Sequence, residues 1–130
     1  MKYYLNSNVW DEAKKRVAFL FDEFDKVIVS TSGGKDSTVV FELAYAEAKR
    51  RNRLPLDLFF IDQEAEYQSA IDYLRRCAKR EGVEPKWLQI PMKLSNATSV
   101  SNVWLECWEE GVEWIREKES FSIQENVYGT

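Results

Sequence analysis

The stretch VIVSTSGGKDSTVVFEL, residues 27–43, decides the fold of this chain. A run of mostly β-branched residues at 26–31 ends at two glycines, and a helix-forming run begins soon after them. Continuous β-branched runs are typical of strands that are buried on both faces of a parallel sheet. The stretch therefore predicts a strand, a glycine-rich loop and a helix in succession.

Helix and strand patterns alternate on both sides of this stretch. Asn8 can cap a first helix, in which apolar residues recur at helical spacing; they are Val9, Trp10, Ala13, Val17, Leu20, Phe21 and Phe24. The runs 54–62 and 84–92 are typical of a second and a third strand. Between them, residues 67–82 carry the apolar stripe of a helix that stops near Gly82.

A strand–helix–strand–helix–strand order implies right-handed crossovers. We therefore predict an α/β fold: an open, mostly parallel, twisted sheet of Rossmann-like type with helices on both faces. Residues 1–130 contain no internal repeat and no linker, which predicts one compact domain. The Trp-rich part from about residue 93 is expected to be an extension of that same domain.

Composition excludes several classes of function. No window approaches the roughly 18 apolar residues of a membrane span, and the N-terminus has no signal-peptide run, so we expect a cytoplasmic protein without membrane contact. The net charge of −4 argues against nucleic acid as a partner. The chain has no histidine, which excludes Ser-His and Cys-His nucleophile pairs. Cys77 and Cys107 lack metal-type spacing and are expected to be free, packed thiols.

The loop after the first predicted strand has the chemistry of an anion site. Gly33 and Gly34 can adopt positive φ, so that successive amides point into one concavity. The N-terminus of the following helix adds a partial positive charge. Ser32 and Ser37 add hydroxyl donors, and Lys35 adds a full positive charge. The spacing fits neither GxxxxGK[ST] nor GxGxxG, so the loop is neither a Walker A motif nor a dinucleotide fingerprint.

The hexapeptide SGGKDS, residues 32–37, resembles the SGGxDS signature of the PP-loop ATP pyrophosphatases, the adenine nucleotide alpha hydrolase-like superfamily. Residues 21–67 are similar to its phosphoadenosine phosphosulfate (PAPS) reductase-like branch, found in phage and mobile elements. In that branch the second strand ends in D-x-E-A-x-Y, here Asp62, Glu64, Ala65 and Tyr67. The later segments IPMKLSNATSV, WLECW and WIRE also resemble that branch.

The resemblance implies a set of ligand-binding roles. Backbone groups near Ser30 and Thr31, and near Ile61 and Asp62, would frame adenosine. Asp62 or Glu64 would also reach a ribose hydroxyl or a second metal. Lys35 and Asp36 are the implied catalytic residues, and Asp36 is the implied ligand of Mg²⁺. The terminal phosphates would be held by Ser32, Gly33, Gly34, Lys35, Asp36 and Ser37.

The implied ligand is ATP or a sulfonucleotide, and the implied reaction is cleavage of ATP between the α- and β-phosphates, which adenylates a substrate and releases pyrophosphate. Sulfonucleotide reduction is not expected, because no cysteine follows Cys107. The alternative is a catalytically silent nucleotide-binding or interaction module, a minimal or truncated relative of the family. A protein partner or a homo-oligomer stays open.

Structural alternatives stay open beside these roles. Asp62 and Glu64 are also typical of acidic residues that cap the following helix. The tryptophans of the second half, Trp87, Trp104, Trp108 and Trp114, are predicted to pack rather than to stack on a base. The basic runs 49–53 and 75–80 are interpreted mainly as solvated helix ends.

Overall fold

The structure, a computed structural model, describes residues 1–126. Its helices and strands were predicted in this order, apart from the last two strands. The elements are α1 Val9–Glu23, β1 Ile28–Ser30, α2 Lys35–Arg50, β2 Leu56–Ile61, α3 Gln68–Ala78, β3 Val83–Leu88, β4 Met92–Ser95 and β5 Trp104–Cys107.

The main sheet has the order β1-β2-β3, and both pairs of strands are parallel. In the register, Val29 of β1 lies beside Leu58 of β2, which lies beside Pro85 of β3. Each crossover between neighbouring strands contains one helix. The predicted α/β fold with a parallel sheet is confirmed.

The helices α2 and α3 cover one face of this sheet, and not both faces as predicted. Leu56, Leu58 and Phe60 alternate along β2 and so point to the same face. They pack with residues of both helices, among them Phe41, Ala44, Ile71 and Leu74. The reason is the strand order, because two right-handed crossovers that proceed in the same direction place their helices on the same side.

Strand β1 is an edge strand by its place in the sheet, and only one of its two faces is buried. Val29 is buried against the helices, but Ile28 is 54% exposed and Ser30 is exposed. On the same uncovered face, Ile61 of β2 is 45% exposed. The β-branched run thus encodes a strand with one buried face.

Helix α1 is capped as predicted and packs against α2. The Asn8 side chain accepts a hydrogen bond from the Asp11 amide at 2.9 Å. The basic run 49–53 holds the end of α1 and is only partly a solvated surface. Arg51 forms an ion pair with Asp22 of α1. The guanidinium of Arg53 donates to carbonyl oxygens at the end of α1, those of Phe21, Phe24 and Asp25.

Strands β4 and β5 form an antiparallel hairpin that the sequence analysis did not predict. Met92 pairs with Cys107 and Ser95 pairs with Trp104. The chain after β5 returns to the main sheet, where Ile123 forms a bridge with Leu88. Residues 1–126 contain no helix that is long and apolar enough to cross a membrane.

The tryptophans divide between core and surface. Trp87 and Trp108 are fully buried, which confirms the packing prediction for both. Trp114 is half-buried and packs edge-on against Trp108, with ring centroids 5.8 Å apart. Trp104 is exposed on the hairpin, so the packing prediction is wrong for this residue.

Candidate functional site

The glycine-rich loop joins β1 to α2 at the carboxyl edge of the sheet, as the sequence predicted. Gly33 has φ of +73°, and a Cβ at this position would lie 3.1 Å from Cβ of Ala70 in α3. Glycine is thus required here both by the backbone conformation and by the close approach of α3. Gly34 has φ of −77° and is the N-cap of α2. The expectation of positive φ at Gly34 is therefore wrong.

Three hydroxyl groups meet inside the loop. The Thr31 hydroxyl donates to Oγ of Ser37 at 3.2 Å, and Oγ of Ser32 lies 3.2 Å from the same oxygen. The Ser37 hydroxyl donates to the carbonyl oxygen of Gly34 at 3.0 Å. The predicted donors Ser32 and Ser37 are thus brought together, with Thr31 beside them.

Some amide groups of the loop donate to its own hydroxyl groups, and others have no acceptor among residues 1–126. The Gly33 amide donates to Oγ1 of Thr31 at 3.1 Å. The Ser32 and Gly34 amides donate to serine hydroxyls over 3.3 and 3.4 Å, which are long and therefore weak hydrogen bonds. No side chain caps α2. The amides of residues 35–37 accordingly have no acceptor in the described part of the chain.

The two charged residues of the loop are exposed. Neither Lys35 nor Asp36 forms an ion pair with any other residue among residues 1–126. The free amides of the first turn of α2 give this end of the loop a partial positive charge, and the exposed Lys35 and Asp36 add one full charge of each sign. This arrangement suits an anion.

Asp36 fits the requirements of Mg²⁺. Residues 1–126 contain no group of three or more acidic, histidine or cysteine side chains that could hold a metal. Mg²⁺ in proteins is usually held by one or two carboxylates together with substrate phosphates and water. The exposed carboxylate of Asp36 is a ligand of the kind that this description requires.

Asp62 follows β2 at the same edge and is completely buried. Its Oδ1 accepts hydrogen bonds from the Glu64 amide at 2.9 Å and from Nη2 of Arg116, with which it forms an ion pair. Its Oδ2 accepts from Nε1 of Trp87 at 2.7 Å and from Nε2 of Gln89 at 2.9 Å. All four donors come from the protein itself.

Glu64 is buried next to Asp62 and bonds the C-terminal part of the chain. Its Oε2 accepts from the Trp108 amide at 2.6 Å, and its Oε1 accepts from the Ile115 amide at 2.9 Å. Helix α3 begins at Gln68 without a side-chain cap, so the capping alternative for Asp62 and Glu64 is wrong. Their contact with a ribose or a metal stays a prediction.

The sequence analysis missed the partners of these carboxylates. Gln89 and Arg116 are distant from Asp62 in the chain, and Trp108 was interpreted only as a core residue. The single signal was the WIRE segment, which contains Arg116. A buried carboxylate at a strand end needs donors, but the sequence does not say which ones.

Cys107 lies near this edge and lines a cavity of about 290 Å³. The other lining residues are Gln63, Glu64, Ala65, Leu94, Leu105, Glu106 and Ile115. Burial raises the pKa of the Cys107 thiol, and the carboxylates of Glu64, Asp62 and Glu66 raise it further. The thiol is therefore protonated at neutral pH, and it is a free, buried cysteine as predicted.

The comparison with protein families identifies the family of the chain. Residues 26–121 match the model of the phosphoadenosine phosphosulfate reductase domain. The chain belongs to this family. The PAPS reductase domain is part of the nucleotide-binding PP-loop superfamily, so the resemblance read from residues 32–37 and 62–67 is confirmed.

A curated relative of this PAPS reductase domain is "Uncharacterized protein YbdN" of Escherichia coli (strain K12). It is 33% identical over 113 residues, which cover 85% of this chain. The aligned part spans only 28% of the length of the relative. No solved structure matches the chain.

Proposed function

We propose that this PAPS reductase domain binds the phosphates of an adenine nucleotide, ATP or a sulfonucleotide, at the N-terminus of α2. The observation that carries the proposal is the set of amides at residues 35–37, which have no acceptor among residues 1–126, together with the exposed Lys35, which forms no ion pair within the same range. An uncapped helix N-terminus with an adjacent cation is a good site for phosphate oxygens. Family membership supports a nucleotide over a simple oxyanion as the bound anion.

The serine hydroxyls adapt to the ligand in this proposal. Ser32 and Ser37 at present bond each other and two loop amides over 3.2 to 3.4 Å. Exchange of these weak bonds for bonds to charged phosphate oxygens is favourable, because charge-assisted hydrogen bonds are stronger. Two further amides, those of Ser32 and Gly34, then become available to the ligand.

The reaction that we propose is adenylyl transfer. An oxygen of the acceptor attacks the α-phosphorus, the bond from this phosphorus to the bridging oxygen of the β-phosphate breaks, and pyrophosphate leaves with the electron pair. Lys35 would stabilise the charge that builds up on the leaving group. Mg²⁺, held through Asp36 and the phosphates, would supply further charge neutralisation when bound. The loop would fix the phosphate chain for attack.

A second candidate is nucleotide binding without turnover. The observation that favours it is that both buried carboxylates, Asp62 and Glu64, already accept hydrogen bonds from the protein. Asp62 and Glu64 accept hydrogen bonds from protein donors with all of their side-chain oxygens. Neither is free to act as a general base, and the buried Cys107 thiol is protonated.

The test uses ATP, the sulfonucleotide PAPS and the α,β-methylene analogue of ATP, each with Mg²⁺. Calorimetry measures binding, and chromatography of the ATP reaction with added nucleophiles identifies the products. AMP derivatives and pyrophosphate support adenylyl transfer, and binding of all ligands without products supports the silent module. ADP with inorganic phosphate contradicts the cleavage position. Absence of binding contradicts both candidates.

A further inference from the structure

The cavity of about 290 Å³ beside Cys107 has no part in the phosphate site proposed above. Residues 63–65, which follow β2, form one wall, and the hairpin forms another. Leu94 and Leu105 are paired across the hairpin, so their side chains lie on the same face of it. Ile115, which is 73% exposed, also lines the space. We call this space the Cys107 cavity.

The Cys107 cavity combines apolar walls with a negative environment. None of its lining residues within the range 1–126 is basic. Burial raises the pKa of the Cys107 thiol, and the carboxylates of Glu64, Asp62 and Glu66 raise it further. The negative potential of these carboxylates therefore reaches the wall of the cavity. Such an environment disfavours an anion and suits a neutral or positively charged group.

The thiol of Cys107 is a buried polar group without a partner. The residue is 6% exposed, and its thiol forms no hydrogen bond with residues 1–126. Buried polar side chains generally have a hydrogen-bond partner. A molecule in the cavity would supply one to this weak donor.

The Cys107 cavity and the phosphate loop lie at the same edge of the main sheet. Ser30 pairs with Phe59, so the loop after β1 and residues 62–65 after β2 leave neighbouring strands at their carboxyl ends. Neighbouring strands are about 4.8 Å apart. A nucleotide at α2 and a molecule in the cavity would thus be close to each other, at the edge where α/β folds bind their ligands.

We propose that the Cys107 cavity binds the acceptor of the adenylyl group, a small molecule whose apolar part carries a neutral or cationic end into the cavity. This inference rests on the adenylyl transfer proposed above. The acceptor oxygen that attacks the α-phosphorus stays outside the cavity, on the side of the loop. Charge separates the two ligands, because the phosphates suit the N-terminus of α2 and are repelled by the carboxylates near the cavity.

NMR spectroscopy of the chain with ¹³C-labelled leucine and isoleucine methyl groups tests the cavity. The probes n-pentylamine, n-pentanol and n-pentanoate share an apolar chain and end in a cation, a neutral group and an anion. The amine and the alcohol should shift the methyl signals of Leu94, Leu105 and Ile115, and pentanoate should bind about tenfold more weakly than the amine. The signals of Ile28, on the uncovered face of the sheet, should not move. Equal affinities of amine and pentanoate, or shifts no larger than those of Ile28, overturn the proposal.

Two alanine substitutions locate the binding site of the amine. Ala65→Phe fills the cavity from an exposed position, and Ala97→Phe is the matched control in the turn of the hairpin. The first variant should lose the shifts of Leu94 and Leu105, and the second should keep them. Far-UV circular dichroism checks the fold of both variants. Parental shifts in a folded Ala65→Phe variant contradict the proposed site.

The α,β-methylene analogue of ATP, with Mg²⁺, tests the role of the cavity as the acceptor site. The chain saturated with this analogue should bind n-pentylamine at least as tightly as the free chain does. Displacement of the amine would assign the cavity to the nucleotide and overturn the proposal. Absence of nucleotide binding in calorimetry would refute the proposed function and with it the acceptor role, whereas the methyl shifts judge the cavity as a ligand site separately.

Discussion

Oε2 of Glu64 accepts a hydrogen bond from the Trp108 amide at 2.6 Å, and both residues have positive φ, 65° and 53°. A non-glycine residue in this backbone region costs about 1–3 kcal/mol and persists only where the surroundings enforce it. The hydrogen bond connects Glu64, which follows β2, with Trp108, which follows β5 at the end of the hairpin. Each one therefore helps to hold the other in its strained conformation.

Glu64→Gln tests the importance of this connection. The amide side chain has one acceptor oxygen in place of two, so either the Trp108 or the Ile115 amide loses its acceptor. We expect the free energy of unfolding to fall by about 2 kcal/mol, measured by urea denaturation. Glu117→Gln is the control, because Glu117 is exposed and unpaired in the described part of the chain. A loss at Glu64 no larger than the control loss would contradict this role.

Arg116→Met tests the buried ion pair. Removal of the guanidinium leaves the Asp62 carboxylate buried and uncompensated, which costs about 3–5 kcal/mol. Thermal unfolding followed by circular dichroism measures the effect. The second change Asp62→Asn should recover part of the loss, because the neutral side chain needs no counter-charge. An Arg116→Met protein as stable as the parent would show that the pair does not hold the C-terminal segment.

Lys35→Ala tests the proposed phosphate site. The substitution removes the cation of the loop, and we expect adenine-nucleotide affinity to fall about tenfold or more. The fold should not change, because Lys35 is exposed. Lys49→Ala is the matched control at the other end of the same helix, and calorimetry compares the two. Equal losses for both variants would place the nucleotide elsewhere.

Gly33→Ala and Gly34→Ala should differ in stability. At Gly33 the new Cβ would meet Ala70 and Leu74 at 3.1 Å, and φ is +73°, so we expect a loss of about 1–3 kcal/mol. At Gly34 the new Cβ would meet only Oγ of Ser32, at 3.3 Å, and φ is negative. The loss there should stay within about 1 kcal/mol. Urea denaturation that ranked the two variants in the opposite order would refute the loop geometry.

Glu47→Gln tests the ion-pair network between α1 and α2. Hydrogen bonds from Arg50 and Arg51 lower the pKa of Glu47 from 4.5 to about 2, against the opposing effect of its burial. The stabilisation is therefore complete above pH 4.5 and is lost as the pH falls towards 2. We expect Glu47→Gln to be about 1 kcal/mol less stable than the parent at neutral pH. Urea denaturation should show this gap close with falling pH, whereas the exposed Glu113→Gln control should show no gap.

The sequence was sufficient for the parts of the fold that depend on local chemistry. These parts are encoded by residues that are close together in the chain. The examples are Asn8 at a helix start, the β-branched run before the glycines, and the three- and four-residue spacing in α1. The order of strands and helices then predicted the parallel sheet. The number of covered faces was not predictable in this way, because it depends on the direction in which successive strands are added.

The geometry of the candidate loop was predictable in position but not in detail. The SGGKDS loop and its hydroxyls were located from the hexapeptide alone. The burial of Asp62 and Glu64 could not be predicted, because their hydrogen-bond donors are distant in the chain. They include Gln89, Trp108 and Arg116. The hairpin was missed because each strand has only four residues, between which a polar turn dominates the pattern.

Residues 108–123 form no helix and no ladder strand, yet their amides bond acceptors at the buried end of the main sheet. Trp108 and Ile115 donate to Glu64, Glu119 donates to Gln89, and Ile123 donates to the carbonyl of Trp87. These four protons should therefore exchange with deuterated solvent slowly and at one shared rate, which is unusual for irregular backbone. The tail of the domain would open as a single cooperative unit.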